Sequence, residues 1–247
     1  MIYEAEIFWR TLRREGLGSL FTKTGIYFRQ IARGLVFQCR RLPRNGSAKQ
    51  LVDFCFSPAG GFLQLTQVRS EILALTTLVE KNRPKTVVEI GTAHGGTLFL
   101  WCLLAHPTAT VVSIDLPGGI HGGGYPYWKS WIYRRFAGPS QKLHLLRCDS
   151  QAPETLAQLK TVLPGGTVDF LFIDGNHTYA GVKADFQKYS PLVAKDGMVV
   201  FHDICTIPSE VNCQVDKFWH EIKDGYRHEE FIENPSQGTC GIGVIFL

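Results

Sequence analysis

From Lys85 onward, short runs of apolar and β-branched residues alternate with stretches whose apolar residues recur at helical spacing. Thr86–Ile90, Val111–Asp115, Leu143–Cys148, Val168–Ile173 and Met198–Phe201 read as buried strands, because they are short and almost uniformly apolar. Leu98–Ala105, Tyr127–Phe136, Glu154–Val162 and Tyr179–Leu192 read as the helices between them. Pro153 suits a first helical turn and puts Leu156, Leu159 and Val162 on one face. A further amphipathic helix is expected over Val211–Ile222, then a closing strand pair, Arg227–Ile232 with Ile242–Leu247. Before the first strand, Gln64–Lys81 has helical apolar spacing at Leu65, Val68, Ile72, Leu75 and Leu78, and Asn82–Pro84 stops it. This alternation predicts an α/β fold: a doubly wound, mostly parallel, seven-stranded Rossmann-like sheet.

The N-terminal part reads differently. Ile2, Tyr3, Ile7, Phe8 and Leu12, then Ile26, Ile31, Leu35 and Val36, give two helical stretches broken at Gly16 and Gly18. Pro43–Lys49 reads as a linker and residues 57–61 as a loop, so the division expected is an arm over 1–61 and a domain over 62–247. Charge sharpens this division. The first fifty residues hold ten Lys/Arg and three Glu, whereas the rest hold sixteen basic and nineteen acidic residues. The arm is therefore strongly basic and the body slightly acidic. An apolar stripe of this kind packs on its own domain or on a second copy of the chain in a homo-oligomer. The alternative is peripheral contact with an anionic membrane. The arm lacks a compact Lys/Arg face with interleaved stacking aromatics, so no nucleic-acid partner is expected.

Seven cysteines stand without pairing or Cys-x-x-Cys spacing, which points to free thiols in a reducing compartment. The acidic start, Met1 to Glu6, does not resemble a signal peptide, and no apolar run has the ~20 residues of a spanning helix. The expected location is cytoplasmic.

In a parallel sheet the ligand lies beyond the carboxyl ends of the strands. Each of the five strands ends in or beside an acid: Glu89, Asp115, Asp149, Asp174 and Asp203. Strand one runs into the turn Gly91, Thr92, Ala93, His94, Gly95, Gly96, where missing side chains let a ligand approach the backbone and a helix N-terminus. The spacing is not the Gly-x-Gly-x-x-Gly of dinucleotide folds, since Ala93 stands where the middle glycine would be. Asp115, after strand two, can accept hydrogen bonds from ribose hydroxyls, and Asp149 with Ser150 can hold an adenine amino group. Asp174, His202 and Asp203 follow adjacent strands, whose ends lie about 5 Å apart, and can converge on one divalent ion. His177, three residues past Asp174, suits a general base. His94 reads as a turn residue near the ligand. The glycine-rich, aromatic stretch 116–128, with His121 and Tyr125, reads as a mobile flap or a flexible surface loop.

Four stretches together, Val87–Gly96, Val112–Gly119, Phe170–Tyr179 and Val199–Ile204, resemble class I S-adenosylmethionine-dependent methyltransferases. Within these, the chain is most similar to the branch of cephalosporin-hydroxylase-like proteins and metal-dependent macrolide-sugar O-methyltransferases. The resemblance covers roughly residues 62–247. It implies S-adenosylmethionine as cofactor, with Glu89, Gly91 and Gly95, and Thr92 and Ala93 of the same turn, at its methionine part. Asp115 would then meet the ribose, and Asp149 and Ser150 the adenine. It also implies a divalent metal, Mg or Mn, on Asp174 and Asp203, with His177 as base and Asp174 bordering the cofactor. Asn176 and His202 depart from the family, which often has Asp at the first position and an acid at the second. The expected acceptor is a hydroxyl of a small molecule or sugar, such as a vicinal diol. Two alternatives share the pocket: a metal-independent methyltransferase, and a non-catalytic cofactor-binding subunit of a biosynthetic complex.

Overall fold

The computed structural model describes residues 42–60, 63–118, 124–206 and 213–247, together with Gly25 and Arg29. The helical stretches expected over residues 1–42 otherwise lie outside the described residues, as do His121 and residues 207–212.

Seven strands form one sheet in the order β3-β2-β1-β4-β5-β7-β6. These are β1 Thr86–Ile90, β2 Thr110–Ile114, β3 Lys142–Leu146, β4 Val168–Ile173, β5 Val193–His202, β6 Arg227–Phe231 and β7 Ile242–Phe246. The first five run parallel, and β7 lies antiparallel between β5 and β6. The strand order reverses between β1 and β4, which makes their carboxyl ends the switch point of the sheet.

Alternate residues of each strand face opposite layers. Val87, Val111, Phe170 and Val200 pack against α1 Ala48–Phe56, α2 Arg69–Asn82, α3 Gly96–Leu104 and α4 Tyr127–Tyr133. Val88, Val112, Leu171 and Val199 pack against α5 Pro153–Val162, α6 Tyr179–Tyr189 and α7 Val215–Ile222. Helix α3 is apolar on nearly every side because it is enclosed between the sheet and helices α1 and α2.

Three features differ from the sequence reading. Helix α1 was not anticipated, and it buries Ala48, Leu51, Val52 and Cys55 in the same core as α2 and α3. The domain therefore includes residues from Ser47 onward, and the boundary at 61/62 is corrected. Helix α2 begins at Arg69, not at Gln64, leaving Gln67 in the loop before it. Strand β5 begins at Val193, five residues early, through polar Lys195 and Asp196. No described helix is long and apolar enough to cross a membrane.

Candidate active site

The switch point is built from close backbone contacts. Gly91 N–H donates to Ile114 O at 2.9 Å, and Asp174 N–H donates to Ile90 O at 2.8 Å. The turn after β1 is thus held by both neighbouring strands. Gly91 has φ of 88°, and a Cβ there would stand 1.9 Å from Asp174 O, so only glycine fits. Beyond these ends opens a cleft lined, among the described residues, by Gly91, Ala93, Asp115, Asp149, Ser150 and Asp174.

Asp115 is a clamp as well as a wall. Its Oδ1 accepts from Thr92 N–H at 3.0 Å, and its Oδ2 accepts from Tyr125 N–H at 2.8 Å. Burial raises its pKa and those amides oppose the rise. A carboxylate has about four lone-pair sites, so acceptor capacity remains for ligand hydroxyls. Tyr125 is buried, edge-on to Tyr133 and beneath the Arg147 guanidinium. This end of the 116–128 stretch is therefore anchored, contrary to a wholly loose flap. Asp149 Oδ1 accepts from Gln151 N–H at 2.8 Å, the turn that presents Ser150.

Glu89, Thr92 and Gly95 depart from expectation, because they stand behind the cleft wall. Glu89 points toward α3 and is fully buried. Its Oε1 accepts from Trp101 Nε1–H at 2.9 Å and its Oε2 from Thr92 Oγ1–H at 2.6 Å. Burial pushes its pKa up to about 8 against the pull of those donors. Strand alternation decides this direction: Ile90 and Glu89 face opposite layers. Gly95 opens α3 at φ of 79°, and a Cβ would meet the Tyr133 ring at 2.6 Å. These three residues hold the turn from beneath.

On the other side of the cleft, β4 and β5 place Ile173 beside Phe201. Asp174 and His202 therefore emerge as neighbours. Asp174 Oδ1 lies 3.1 Å from His202 Nδ1 and 3.3 Å from His177 Nε2. Asp203 Oδ1 lies 3.4 Å from His202 Nδ1, and Asp203 Oδ2 lies 3.2 Å from His177 Nδ1. All four predicted residues thus form one cluster. Asp203 sits at φ of 64°, which turns its carboxylate back toward the cluster. Asn176 is not part of it: its Oδ1 accepts from Thr178 N–H and Oγ1–H at the start of α6.

The sequence reading missed four supporting residues. Gln67, buried in the loop before α2, donates from Nε2 to Asp174 Oδ2 at 2.9 Å. Nothing local in the sequence marks Gln67, since its partner is more than 100 positions away. Lys129 is buried with its Nζ 3.3 Å from His94 Nδ1, and burial brings its pKa down to about 8. Its place in an apolar helical face was the available signal. Cys148 and Gln151 also line the cleft.

The charges of the cluster are interdependent. Burial alone would raise the Asp174 pKa, but the charges of and hydrogen bonds to His202 and His177 hold it well below the carboxylate range. Burial would lower that of His177, but bonds to Asp174 and Cys213 and the charges of both acids lift it to about 10. His202 is likewise lifted well above its usual value, by Asp174 foremost among its partners, despite burial. Burial, with Asp174 nearby, raises Asp203 even though His202 opposes it.

A divalent cation fits the same donor set. His202 Nδ1 has Asp174 Oδ1 at 3.1 Å and Asp203 Oδ1 at 3.4 Å, a set of oxygen and nitrogen donors of the kind that binds divalent ions. His202 Nε2 is buried without a hydrogen-bond partner, which argues that the ring is held for a purpose beyond core packing.

Residues 88–204 match the family model for a methyltransferase domain. The fold is the one found in class I methyltransferases of known structure. The chain is 31% identical over 149 residues to protein y4gI of Sinorhizobium fredii, across 59% of this chain and 16% of that one. It is 36% identical over 118 residues to protein R132 of Acanthamoeba polyphaga mimivirus, across 48% of this chain and 51% of that one. The chain thus spans about half or less of the length of these relatives. An O-methyltransferase from Bacillus cereus, solved with SAH, superposes with a TM-score of 0.55 at 13% identity, covering 87% of this chain and 97% of that one. MycE, a methyltransferase of mycinamycin biosynthesis solved with Mg and SAH, superposes at 0.52 with 17% identity, covering 81% of this chain and 54% of that one.

Proposed function

We propose that this methyltransferase transfers a methyl group from S-adenosylmethionine to a hydroxyl of a small molecule or sugar, with a divalent cation at Asp174, His202 and Asp203. One observation carries the reading: Asp174 both lines the cleft beyond the β1 and β4 ends and belongs to the Asp–His–His–Asp cluster. Cofactor and acceptor therefore meet at one carboxylate. MycE, with Mg and SAH bound, has the same fold and supports a metal at such a site.

S-adenosylmethionine supplies an electrophilic methyl on a sulfonium. A divalent ion, when bound, supplies a Lewis acid that lowers the pKa of an acceptor hydroxyl. The chain does the rest. Asp115 and the Gly91 turn fix the cofactor's orientation, and the acids beyond β4 and β5 fix the acceptor side; alignment of this kind removes several kcal/mol from a barrier. His177, between Asp174 and Asp203, is the proton-accepting group. It takes a proton only when those carboxylates are engaged elsewhere, since their charge otherwise keeps the imidazole protonated. The chain acts in the cytoplasm.

The test is calorimetric titration of S-adenosylhomocysteine into chelator-treated protein, with and without Mg²⁺ or Mn²⁺, followed by an acceptor screen over hydroxylated sugars and catechols. Binding plus divalent-stimulated transfer is the expected result. Absence of binding by folded protein would overturn the reading.

A further inference from the structure

The cluster has a fourth kind of donor that the two carboxylates and the imidazole do not explain. Cys240 lies in the loop between β6 and β7. A ligand atom from each of His202, Asp203 and Cys240 can be chosen so that all three stand within 4.8 Å of one another. The same chain segment carries Gly241, and Cys205 N–H donates to Cys240 O at 2.9 Å, so the loop is stitched directly to the residues that follow His202 and Asp203.

Considerable structure is spent on holding this thiol in place. Cys240 adopts φ of 56°, a left-handed conformation that a residue with a Cβ rarely takes without compensation. Glu71, buried on α2, supplies that compensation. Its Oε2 accepts from Gly241 N–H at 3.0 Å, and its Oε1 accepts from Gln237 Nε2–H at 2.7 Å and Glu233 N–H at 3.1 Å. Independently, His202 is 4% exposed and its Nε2 has no hydrogen-bond partner, so the ring keeps one buried nitrogen beyond the Nδ1 that meets Asp174 and Asp203.

We infer that Cys240 joins His202 and Asp203 in holding the ion, and that this site prefers a borderline transition metal of the Zn²⁺, Co²⁺ or Fe²⁺ kind over Mg²⁺. This rests on the metal-dependent reading above and narrows it. Mg²⁺ takes hard oxygen donors in an octahedral shell and gains little from sulfur or imidazole. Thiolate and imidazole select the later first-row metals and zinc. On binding, the Cys240 thiol gives its proton to solvent and the sulfur donates its lone pair to the ion. Cys213, which groups with His177 and Asp203, is the nearest competing thiol and serves as the control.

The experiment is Co²⁺ titration of the chelator-treated full chain, followed by ultraviolet and visible absorption. A thiolate-to-cobalt charge-transfer band in the near ultraviolet is expected in the wild type and in Cys213→Ser. It should be lost in Cys240→Ser, while the weaker visible bands of bound cobalt persist. Visible bands without the charge-transfer band in the wild type would overturn the thiolate and leave the metal reading intact. Absence of any cobalt binding would overturn both. A band lost in Cys213→Ser and kept in Cys240→Ser would also overturn the assignment. Should Cys240→Ser fail to fold, alkylation of the wild type by iodoacetamide decides: Zn²⁺ should protect the Cys240 peptide and Mg²⁺ should not. Equal labelling with either ion would overturn the inference.

Discussion

Asp174 Oδ1 stands 3.1 Å from His202 Nδ1, across the ends of two adjacent parallel strands. This pair joins the cleft to the Asp–His–His–Asp cluster, since Asp174 belongs to both. Asp174→Ala should therefore abolish divalent-ion binding and methyl transfer. S-adenosylhomocysteine affinity should stay within about tenfold of wild type, a difference of about 1.4 kcal/mol. Calorimetry with each ligand separates the two effects, and unchanged ion affinity would remove Asp174 from the site.

Glu89 makes stability fall as pH rises. Its pKa is about 8 in the folded chain against 4.5 as the ordinary value, so between these the folded state holds the extra proton. Its contribution is fully present below pH 4.5 and is lost as pH rises through about 8. Glu89→Gln keeps the shape and removes the titration. Denaturant midpoints from pH 5 to about 9 should fall less steeply in the variant than in wild type. Parallel curves would mean that Glu89 is ionised when buried.

Gly91→Ala places a methyl 1.9 Å from Asp174 O at a φ of 88°. The expected cost is about 3 kcal/mol or more. Thermal unfolding should show it as a Tm lower by roughly 6–12 °C, provided unfolding is two-state.

Asp115→Ala strips the acceptors from Thr92 N–H and Tyr125 N–H and from ligand hydroxyls together. Hydrogen bonds to a charged group contribute about 1.5–3 kcal/mol, so S-adenosylhomocysteine should bind about 10- to 100-fold more weakly. Divalent-ion affinity, governed on the other side of the cleft, should not change.

His177→Gln should remove the rising limb of the pH–rate profile near neutrality in metal-loaded enzyme, with metal content unchanged. An identical profile in the variant would dismiss His177 as the proton acceptor.

The strands were legible because β1, β2 and β4 are buried on both faces and are mostly apolar and β-branched or aromatic. The acids after them were legible because the sheet is parallel and the rule for its carboxyl edge is general. Glu89 was misplaced by the same logic: it lies within β1, so alternation, not the edge, sets its direction. Helix α1 left a readable trace in the Ser47-x-x-Gln50 capping box, with Ser47 N–H donating to Gln50 Oε1 at 2.9 Å. The start of β5 was obscured because Lys195 and Asp196 are exposed there and Asp196 takes φ of 69°. Gln67 and Glu71 act through partners far along the chain, and no local pattern encodes such pairings.

The antiparallel insertion of β7 gives the two sides of the cleft different histories. The Gly91 turn, Asp115 and Asp174 depend on β1, β2 and β4, all made early in the chain. His202 is registered against Ile242, and Cys240 precedes it, so this side of the cleft is complete only after the last strand has crossed back into the sheet. Loss of β7 would therefore strip His202 of its antiparallel partner while the Gly91 turn, Asp115 and Asp174 kept the strands that carry them.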